Sequence, residues 1–156
     1  MVDIPTLDIE DYDPDLNEEP ESIEDKSGGA LTYAIVGAGQ GGGRMAKAFY
    51  DMGYTKTIAV NTARSDLNGL DIPEDQKFLV DEHGEQGAGK DQAKAEAAIE
   101  KKEQEVFNKF REVFGTNVDR VLICLGVSGG SGGGTVNTLI KVAKKYLTYI
   151  GVEDVD

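Results

Sequence analysis

The sequence predicts an α/β fold in which a layered sheet of mostly parallel strands carries helices on both faces. Two observations support this expectation. Short runs of β-branched and apolar residues alternate along the chain with helical stretches that have one apolar face. Glycine-rich turns also follow several of the predicted strands, where a parallel sheet would pass into a helix. The 156 residues are enough for one such domain and too few for two.

An acidic segment precedes the predicted domain. Residues 1–29 hold eleven Asp or Glu against one Lys, together with three of the four prolines, in a chain of net charge −13. Such a polar segment buries too little apolar surface to offset its ordering entropy. We therefore expect residues 1–29 to be a disordered acidic tail and residues 30–156 to be the domain. The alternative is that the tail docks on a basic groove of a partner.

The hydrophobic pattern then predicts the elements of the domain in order. Four apolar runs predict strands, at residues 31–36, 57–61, 77–80 and 121–125. Helices are expected after the first strand, over residues 91–114, and after the fourth strand. Residues 121–125 are apolar without interruption, which is typical of a central strand in a parallel sheet. The order β-α-β-β-α-β-α predicts a Rossmann-like layering.

Apolar residues at helical spacing predict which face of each helix is buried. In the first helix they are Met45, Ala48, Phe49 and Met52. Over residues 91–114 they are Ile99, Val106, Phe110 and Val113, and strong helix formers fill most other positions. We therefore expect one continuous helix over residues 91–114.

Composition and charge exclude several classes of protein. The acidic balance argues against nucleic acid as the main partner, because a phosphate backbone needs basic side chains to neutralise it. One cysteine, Cys124, and one histidine, His83, exclude an internal disulfide and Cys- or His-rich metal sites. No apolar run approaches the roughly 20 residues of a membrane span, and the N-terminus is acidic where a signal peptide is basic. We expect a cytoplasmic protein.

The first glycine-bearing turn, Gly37-Ala38-Gly39-Gln40-Gly41-Gly42-Gly43-Arg44, lies between a predicted strand and a helix. Glycines there let backbone amides approach an anion, and the helix N-terminus adds about half a positive charge. The run also matches the dinucleotide fingerprint G-x-G-x-x-G. That fold needs a carboxylate at the end of the second strand, but Val60-Asn61-Thr62-Ala63 has none before Asp66. This disfavours NAD or FAD, and a Rossmann NAD-binding protein stays an alternative.

The second turn, Gly84-Glu85-Gln86-Gly87-Ala88-Gly89-Lys90-Asp91, matches the P-loop pattern G-x-x-x-x-G-K. A P-loop continues with Ser or Thr, whose hydroxyl binds Mg²⁺, whereas this chain has Asp91. The later strand at residues 121–125 also lacks the acidic residue that would complete the metal site. Both absences disfavour a true P-loop.

The third turn, Gly126-Val127-Ser128-Gly129-Gly130-Ser131-Gly132-Gly133-Gly134-Thr135, joins the fourth predicted strand to a helix. Six glycines in nine residues cost several kcal/mol of conformational entropy, at about 0.5–1 kcal/mol each. That cost is understandable if the backbone amides themselves bind phosphate oxygens, in conformations that include positive φ.

Together these turns resemble the tubulin/FtsZ GTPases over about residues 31–150. The family has a glycine-rich turn after its first strand and Asn-Thr after its second, here Asn61-Thr62. A Gly-Ala-Gly turn precedes a long helix, and a G-G-G-T-G-[ST]-G signature follows the fourth strand. Three residues of the third turn differ from the signature: Ser131 replaces Thr, Ser128 replaces Gly, and Gly133 replaces Thr or Ser. In the first turn, Arg44 stands where bacterial members have Asn.

The resemblance implies that GTP or GDP, with Mg²⁺, is held by backbone amides of Gly39–Gly43 and Gly129–Gly134. Hydroxyl contacts would come from Ser131 and Thr135. The nucleotide-binding residues implied across the turns are Gly37, Gly39, Gln40, Gly41, Gly42, Gly43, Arg44, Asn61, Thr62, Gly87, Ala88, Gly89, Lys90, Gly129, Gly130, Ser131, Gly132, Gly133, Gly134 and Thr135.

The resemblance also implies GTPase activity and assembly into filaments, but no catalytic residue is assigned. In the family, acidic residues of a loop after a long central helix complete the active site of the neighbouring subunit. We expect that loop to lie beyond Asp156. The alternative function is a non-enzymatic, degenerate tubulin-like module that docks on a larger assembly, helped by an open edge on the fourth strand.

Overall fold

The computed structural model describes residues 23–81 and 91–155. Within them, four parallel strands form one sheet in the order β3-β2-β1-β4. The strands are β1 (Tyr33–Ala38), β2 (Thr57–Asn61), β3 (Lys77–Leu79) and β4 (Arg120–Leu125). Each agrees with its predicted run to within two residues at either end. The predicted α/β fold is confirmed.

Five helices cover the two faces of this sheet in the described residues. They are α1 (Gly39–Asp51), α2 (Arg64–Asn68), α3 (Gln92–Glu100), α4 (Glu103–Phe114) and α5 (Gly130–Tyr149), and a 3-10 turn spans Glu74–Gln76. Helices α1 and α2 pack on one face, whereas α3, α4 and α5 pack on the other. None of them combines the length and apolar composition that a bilayer-spanning helix needs.

The larger core lies between the sheet and helices α3, α4 and α5. Its centre is an aromatic group of Phe110, Phe114 and Tyr146, whose ring centroids lie 4.9–6.0 Å apart. The Tyr146 hydroxyl donates to the carbonyl of Gly115 at 2.7 Å. Burial raises the pKa of Tyr146, so the hydroxyl remains a donor at any physiological pH. This core anchors the C-terminal part of α5 and thereby fixes the direction of its N-terminus.

Helix α1 buries a face that shares only Phe49 with the predicted one. Met45 and Met52 are 42% and 61% exposed, whereas Gly42 and Ala46 are buried. The physical reason is close approach of the backbones, since a Cβ on Gly42 would collide with the carbonyl of Cys124 in β4. Hydrophobic periodicity counts large side chains and therefore overlooks a helix face built from glycine and alanine.

The predicted helix over residues 91–114 is two helices. Helix α3 ends at Glu100 and α4 begins at Glu103. At Lys102 the backbone leaves helical geometry, with φ −108° and ψ 13°, and its N–H donates to the carbonyl of Ile99 at 2.9 Å. No glycine or proline marks this break in the sequence. The predicted apolar stripe is nevertheless correct, because Ile99, Val106, Phe110 and Val113 are all buried.

Strand β4 is an edge strand of the described sheet, not a central one as predicted. It pairs with β1 alone among the described strands. Leu122, which faces α1 rather than the larger core, is 37% exposed. Helices α1 and α5 both contact β4, but the strand is only partly buried, and its outer side has no partner in the described part of the chain.

Residues 23–27 pack on the domain, upstream of the boundary predicted at residue 30. The Lys26 N–H donates to the carbonyl of Gly53 at 3.0 Å, and the Thr55 hydroxyl donates to the carbonyl of Glu24. Ile23 packs against the larger core. Residues 1–22 of the predicted tail lie outside the described residues.

The segment also brings a carboxylate to a buried lysine. Lys56 is 2% exposed, and its Nζ donates to the carbonyl of Asn117 at 2.8 Å. Burial lowers the pKa of Lys56, and the charge of Asp25 counteracts that effect. Residues 23–27 thus contribute both packing and charge compensation to the amino end of β2.

Removing residues 1–27 should destabilise the domain, whereas removing residues 1–22 should not. The longer deletion loses two hydrogen bonds, the Ile23 contact and the charge of Asp25, which together are worth roughly 1–3 kcal/mol. Urea unfolding followed by circular dichroism measures the difference. Equal unfolding free energies for the two truncated chains would contradict this prediction.

Candidate functional site

The strand order identifies one crevice at the carboxyl ends of the strands. From β1 the chain proceeds to β2 and β3 on one side, and β4 then joins β1 on the other side. In open α/β sheets, ligands bind where the order reverses in this way. Here that point lies between β1 and β4, and the helices that follow these strands, α1 and α5, begin at its two sides.

The first turns of α1 and α5 touch across this crevice. Gly39, the first residue of α1, has a φ of 72°, a conformation that L side chains rarely adopt. A Cβ at this position would lie 2.8 Å from the backbone nitrogen of Gly132 in α5. Glycine is therefore required at residue 39 both by the backbone conformation and by the contact with α5.

Neither of these helices has a side-chain cap at its N-terminus. Ala38 and Gly129 occupy the N-cap positions without a side-chain hydrogen bond, and no acidic residue lies in either first turn. Helix α3 differs, because its N-cap Asp91 accepts a hydrogen bond from the N–H of Lys94 at 3.2 Å. The first N–H groups of a helix lack intrahelical acceptors and carry its positive dipole end. Two such ends meeting in one crevice favour a polyanion.

A pair of hydroxyls connects the crevice to β2. Thr62, directly after β2, is 2% exposed, and its Oγ1 lies 2.5 Å from Oγ of Ser131 in the first turn of α5. This hydrogen bond joins residues far apart in the sequence and holds the glycine-rich turn against the end of the neighbouring strand.

The comparison with known families identifies the domain. A model of the Tubulin/FtsZ family GTPase domain matches residues 32–152. This chain belongs to the tubulin/FtsZ family.

Two archaeal members of the tubulin/FtsZ family illustrate the similarity in sequence. The tubulin-like protein CetZ1 of Haloferax volcanii is 30% identical over 128 residues, which are 76% of this chain and 32% of CetZ1. The cell division protein FtsZ 2 of the same organism is 32% identical over 130 residues, 80% of this chain and 31% of that protein. The chain thus spans about a third of the length of these relatives.

Solved structures of tubulin/FtsZ proteins share the fold. A GDP-bound monomer of Haloferax volcanii CetZ1 superposes with a TM-score of 0.69 at 31% identity, over 76% of this chain and 39% of that one. A variant of FtsZ from M. jannaschii gives a TM-score of 0.64 at 25% identity, over 78% and 35% of the two chains. The fold and the family are therefore established independently.

The structure distributes the tubulin/FtsZ-like glycines between the crevice and helix packing. Gly37 and Gly42 are required for helix packing. A Cβ on Gly37 would collide with the carbonyl of Gly42, and a Cβ on Gly42 would collide with the carbonyl of Cys124. Gly134 packs α5 against α3, with Ala95 in the way of any side chain. These three glycines allow the close packing that places the first turns of the helices. The space beside their Cα atoms is filled by neighbouring residues and is not open to a ligand.

Other predicted residues lie around the crevice with different exposure. On α1, Gln40, Gly41 and Arg44 are exposed, whereas Gly43 is buried. On α5, Gly130 and Gly132 are buried. The half-buried residues on that side are Gly129, Ser131 and Gly133. The positive φ expected within the third turn occurs at Gly39 instead, since no glycine from 126 to 134 has it. Gly87, Ala88, Gly89 and Lys90 lie outside the described residues, as does His83.

Two residues predicted to contact a nucleotide make internal hydrogen bonds in this structure. Thr135 is fully buried, and its hydroxyl donates to the carbonyl of Ser131 at 2.6 Å within α5. The Asn61 side chain closes the turn after β2, because its Oδ1 accepts from the N–H of Ala63 at 3.0 Å and its Nδ2 donates to Asp66 at 3.2 Å. Both side chains therefore shape the walls of the crevice in this structure.

One residue at the crevice was missed by sequence reasoning. Gln92, the first residue of α3, donates from Nε2 to the carbonyl of Val127 at 3.1 Å. No motif signals it, although its place directly after a glycine-bearing turn could have drawn attention. Among the described residues, no group of three or more His, Cys, Asp or Glu side chains forms a metal site.

Proposed function

We propose that this chain binds a guanine nucleotide, GTP or GDP, with the phosphates in the crevice between α1 and α5. The observation that carries the proposal is the contact of two uncapped helix N-termini at Gly39 and Gly132. Their combined N–H groups and dipoles suit a di- or triphosphate, and no carboxylate lies in either first turn to repel it. The related CetZ1 structure is described as GDP-bound, which supports a guanine nucleotide.

The backbone supplies most of the proposed phosphate contacts. Gln40 and Gly41 expose the first turn of α1, and Gly129 and Ser131 are partly exposed on the opposite wall. Mg²⁺ would be carried chiefly by the nucleotide phosphates, as this ion keeps several waters and commonly binds through substrate phosphates. On the protein side, the hydroxyl pair of Thr62 and Ser131 would offer oxygen atoms to this ion or to its waters.

The same geometry disfavours a dinucleotide. A ribose-binding carboxylate is needed at the end of β2, but that strand ends at Asn61 and Thr62 follows it. The first carboxylate after β2 is Asp66, and it accepts a hydrogen bond from Asn61. NAD therefore lacks its characteristic partner in this crevice.

Titration calorimetry with GTP, GDP, ATP and NAD tests the proposed function. We expect saturable binding of GTP and GDP, and weaker binding of ATP and NAD. NAD binding equal to or stronger than that of GTP would contradict the proposal. Absence of binding at millimolar GTP would favour the alternative, an interaction module that docks through the open outer side of β4.

Association into filaments is a further part of the proposal. A CetZ2 structure from Haloferax volcanii is described as a GTPγS-bound protofilament, so a relative with this fold forms a protofilament. We propose that this protein, too, associates with itself or with a larger assembly in a nucleotide-dependent manner. Sedimentation of the protein with GTP and with GDP would measure this association.

The isolated chain should hydrolyse GTP at a negligible rate. The family completes hydrolysis with a loop from a neighbouring subunit, and neither the first turn of α1 nor that of α5 offers a carboxylate to activate water. Phosphate release by the purified chain, measured across a range of protein concentrations, checks this. Steady release that does not depend on concentration would overturn it.

A further inference from the structure

The Gln92 side chain connects α3 to the glycine-rich turn that precedes α5. Its Nε2 donates to the carbonyl of Val127 at 3.1 Å and to the carbonyl of Gly129 at 3.5 Å. Residue 92 lies outside the set of predicted site residues, and its role is not explained by the packing of α3, whose buried face contains Ala95 and Ile99. The side chain acts on backbone carbonyls 35 and 37 residues away in the sequence.

Two consecutive glycines make room for this residue. A Cβ on Gly133 would collide with the side-chain amide of Gln92, and a Cβ on Gly134 would collide with the carbonyl of Gln92. The glycines at 133 and 134 therefore have a specific task, which is to let the start of α3 lie directly on the first turn of α5. From this position the amide reaches the carbonyls of the preceding turn.

The hydrogen bonds determine where the next amides point. In a planar trans peptide, a carbonyl and the following N–H point in opposite directions. Since the carbonyls of Val127 and Gly129 face Gln92, the N–H groups of Ser128 and Gly130 point away from α3. The Gly129 carbonyl also accepts from the N–H of Gly133 at 3.1 Å, so the N–H of Gly130 is directed out of the N-terminus of α5.

We propose that Gln92 is a positioning residue that orients the amides of Ser128 and Gly130 toward the nucleotide phosphates. This inference rests on the proposed function, because it assumes that phosphates lie in the crevice. Gln92 holds one flank of the turn, and the Thr62–Ser131 hydrogen bond, at 2.5 Å, holds the other. Pre-orientation of this kind raises affinity because the amides need no reordering when the ligand binds.

The variant Gln92→Met tests this role, because Met has a similar length but no donor. We expect GTP and GDP to bind about three- to tenfold more weakly, as for the loss of one or two hydrogen bonds that orient a ligand site. Guanosine, which has no phosphate, should bind as it does to the wild-type protein. The matched control is Gln104→Met, because Gln104 also donates a side-chain hydrogen bond, to Asn108 at 3.1 Å, but lies on α4 away from the crevice.

The outcomes separate the possible failures. Unchanged GTP affinity of Gln92→Met, or an equal loss of affinity for guanosine, would overturn the positioning role while leaving the proposed function intact. A wild-type chain that binds neither GTP nor GDP would overturn the proposed function, and the role of Gln92 with it. Melting temperatures of both variants are compared so that a loss of folding is recognised.

Discussion

Gly39→Ala is expected to weaken nucleotide binding at least tenfold and to destabilise the fold. A side chain at φ 72° carries a backbone penalty of about 1–2 kcal/mol. Its Cβ would also lie 2.8 Å from the backbone nitrogen of Gly132, so that α1 and α5 must separate. We expect a total loss of roughly 2–4 kcal/mol in unfolding free energy. The crevice between the two helix N-termini would widen at the same time, and GTP affinity should fall at least tenfold.

The matched control for this substitution is Gly69→Ala. Gly69 follows α2 with a φ of −76°, and a Cβ there would make only ordinary contacts at 3.6 and 3.7 Å. Affinity is measured by calorimetry at a temperature where circular dichroism shows both variants to be folded. A folded Gly39→Ala protein that binds GTP like the Gly69→Ala control would remove the contact between α1 and α5 from the binding site.

Gly132→Val should have the second-largest effect, through contact rather than backbone strain. Gly132 lacks a positive φ, but its Cβ would lie 3.0 Å from the carbonyl oxygen of Gly126 and 3.1 Å from that of Ala38. Valine adds two methyl groups at this crowded point, and overpacking of this kind costs about 1–3 kcal/mol. The turn must move to accommodate them, and we expect GTP binding to be lost.

Ser131→Ala provides the graded comparison for Gly132→Val. The substitution removes the hydrogen bond to Thr62 without adding atoms. That hydrogen bond is worth about 0.5–1.5 kcal/mol, and its loss should weaken GTP binding three- to tenfold. Titration calorimetry measures the GTP affinity of both variants. If Gly132→Val folded and kept its GTP affinity, the glycine-rich turn would not be part of the nucleotide site, and the main support for the proposed function would be lost.

The sequence by itself determined the strands and the family. Each strand is a short apolar run bounded by glycine or polar residues, and such a run is a local property of the chain. The turns after the strands could be located for the same reason, because glycine is concentrated there. The order of these turns, with Asn61-Thr62 between them, was sufficient for a resemblance that the match over residues 32–152 confirms.

Only the tertiary structure decided what the individual glycines do. In the sequence, the glycines at 37, 39 and 42 look alike. The fold uses Gly37 and Gly42 to bring α1 against β1 and β4, and uses Gly39 for a positive φ at the contact with α5. The same holds for Gln92, whose partners Val127 and Gly129 are adjacent to it only in the folded chain.

The incorrect predictions have a common physical cause. The buried face of α1 depends on how closely its backbone approaches Cys124, and the break at Lys102 depends on how α3 and α4 pack against the rest of the domain. The edge position of β4 depends on which strand pairs with β1. Local periodicity records the size and polarity of side chains along one element, whereas these features arise from distances between elements remote in sequence, which only the folded chain defines.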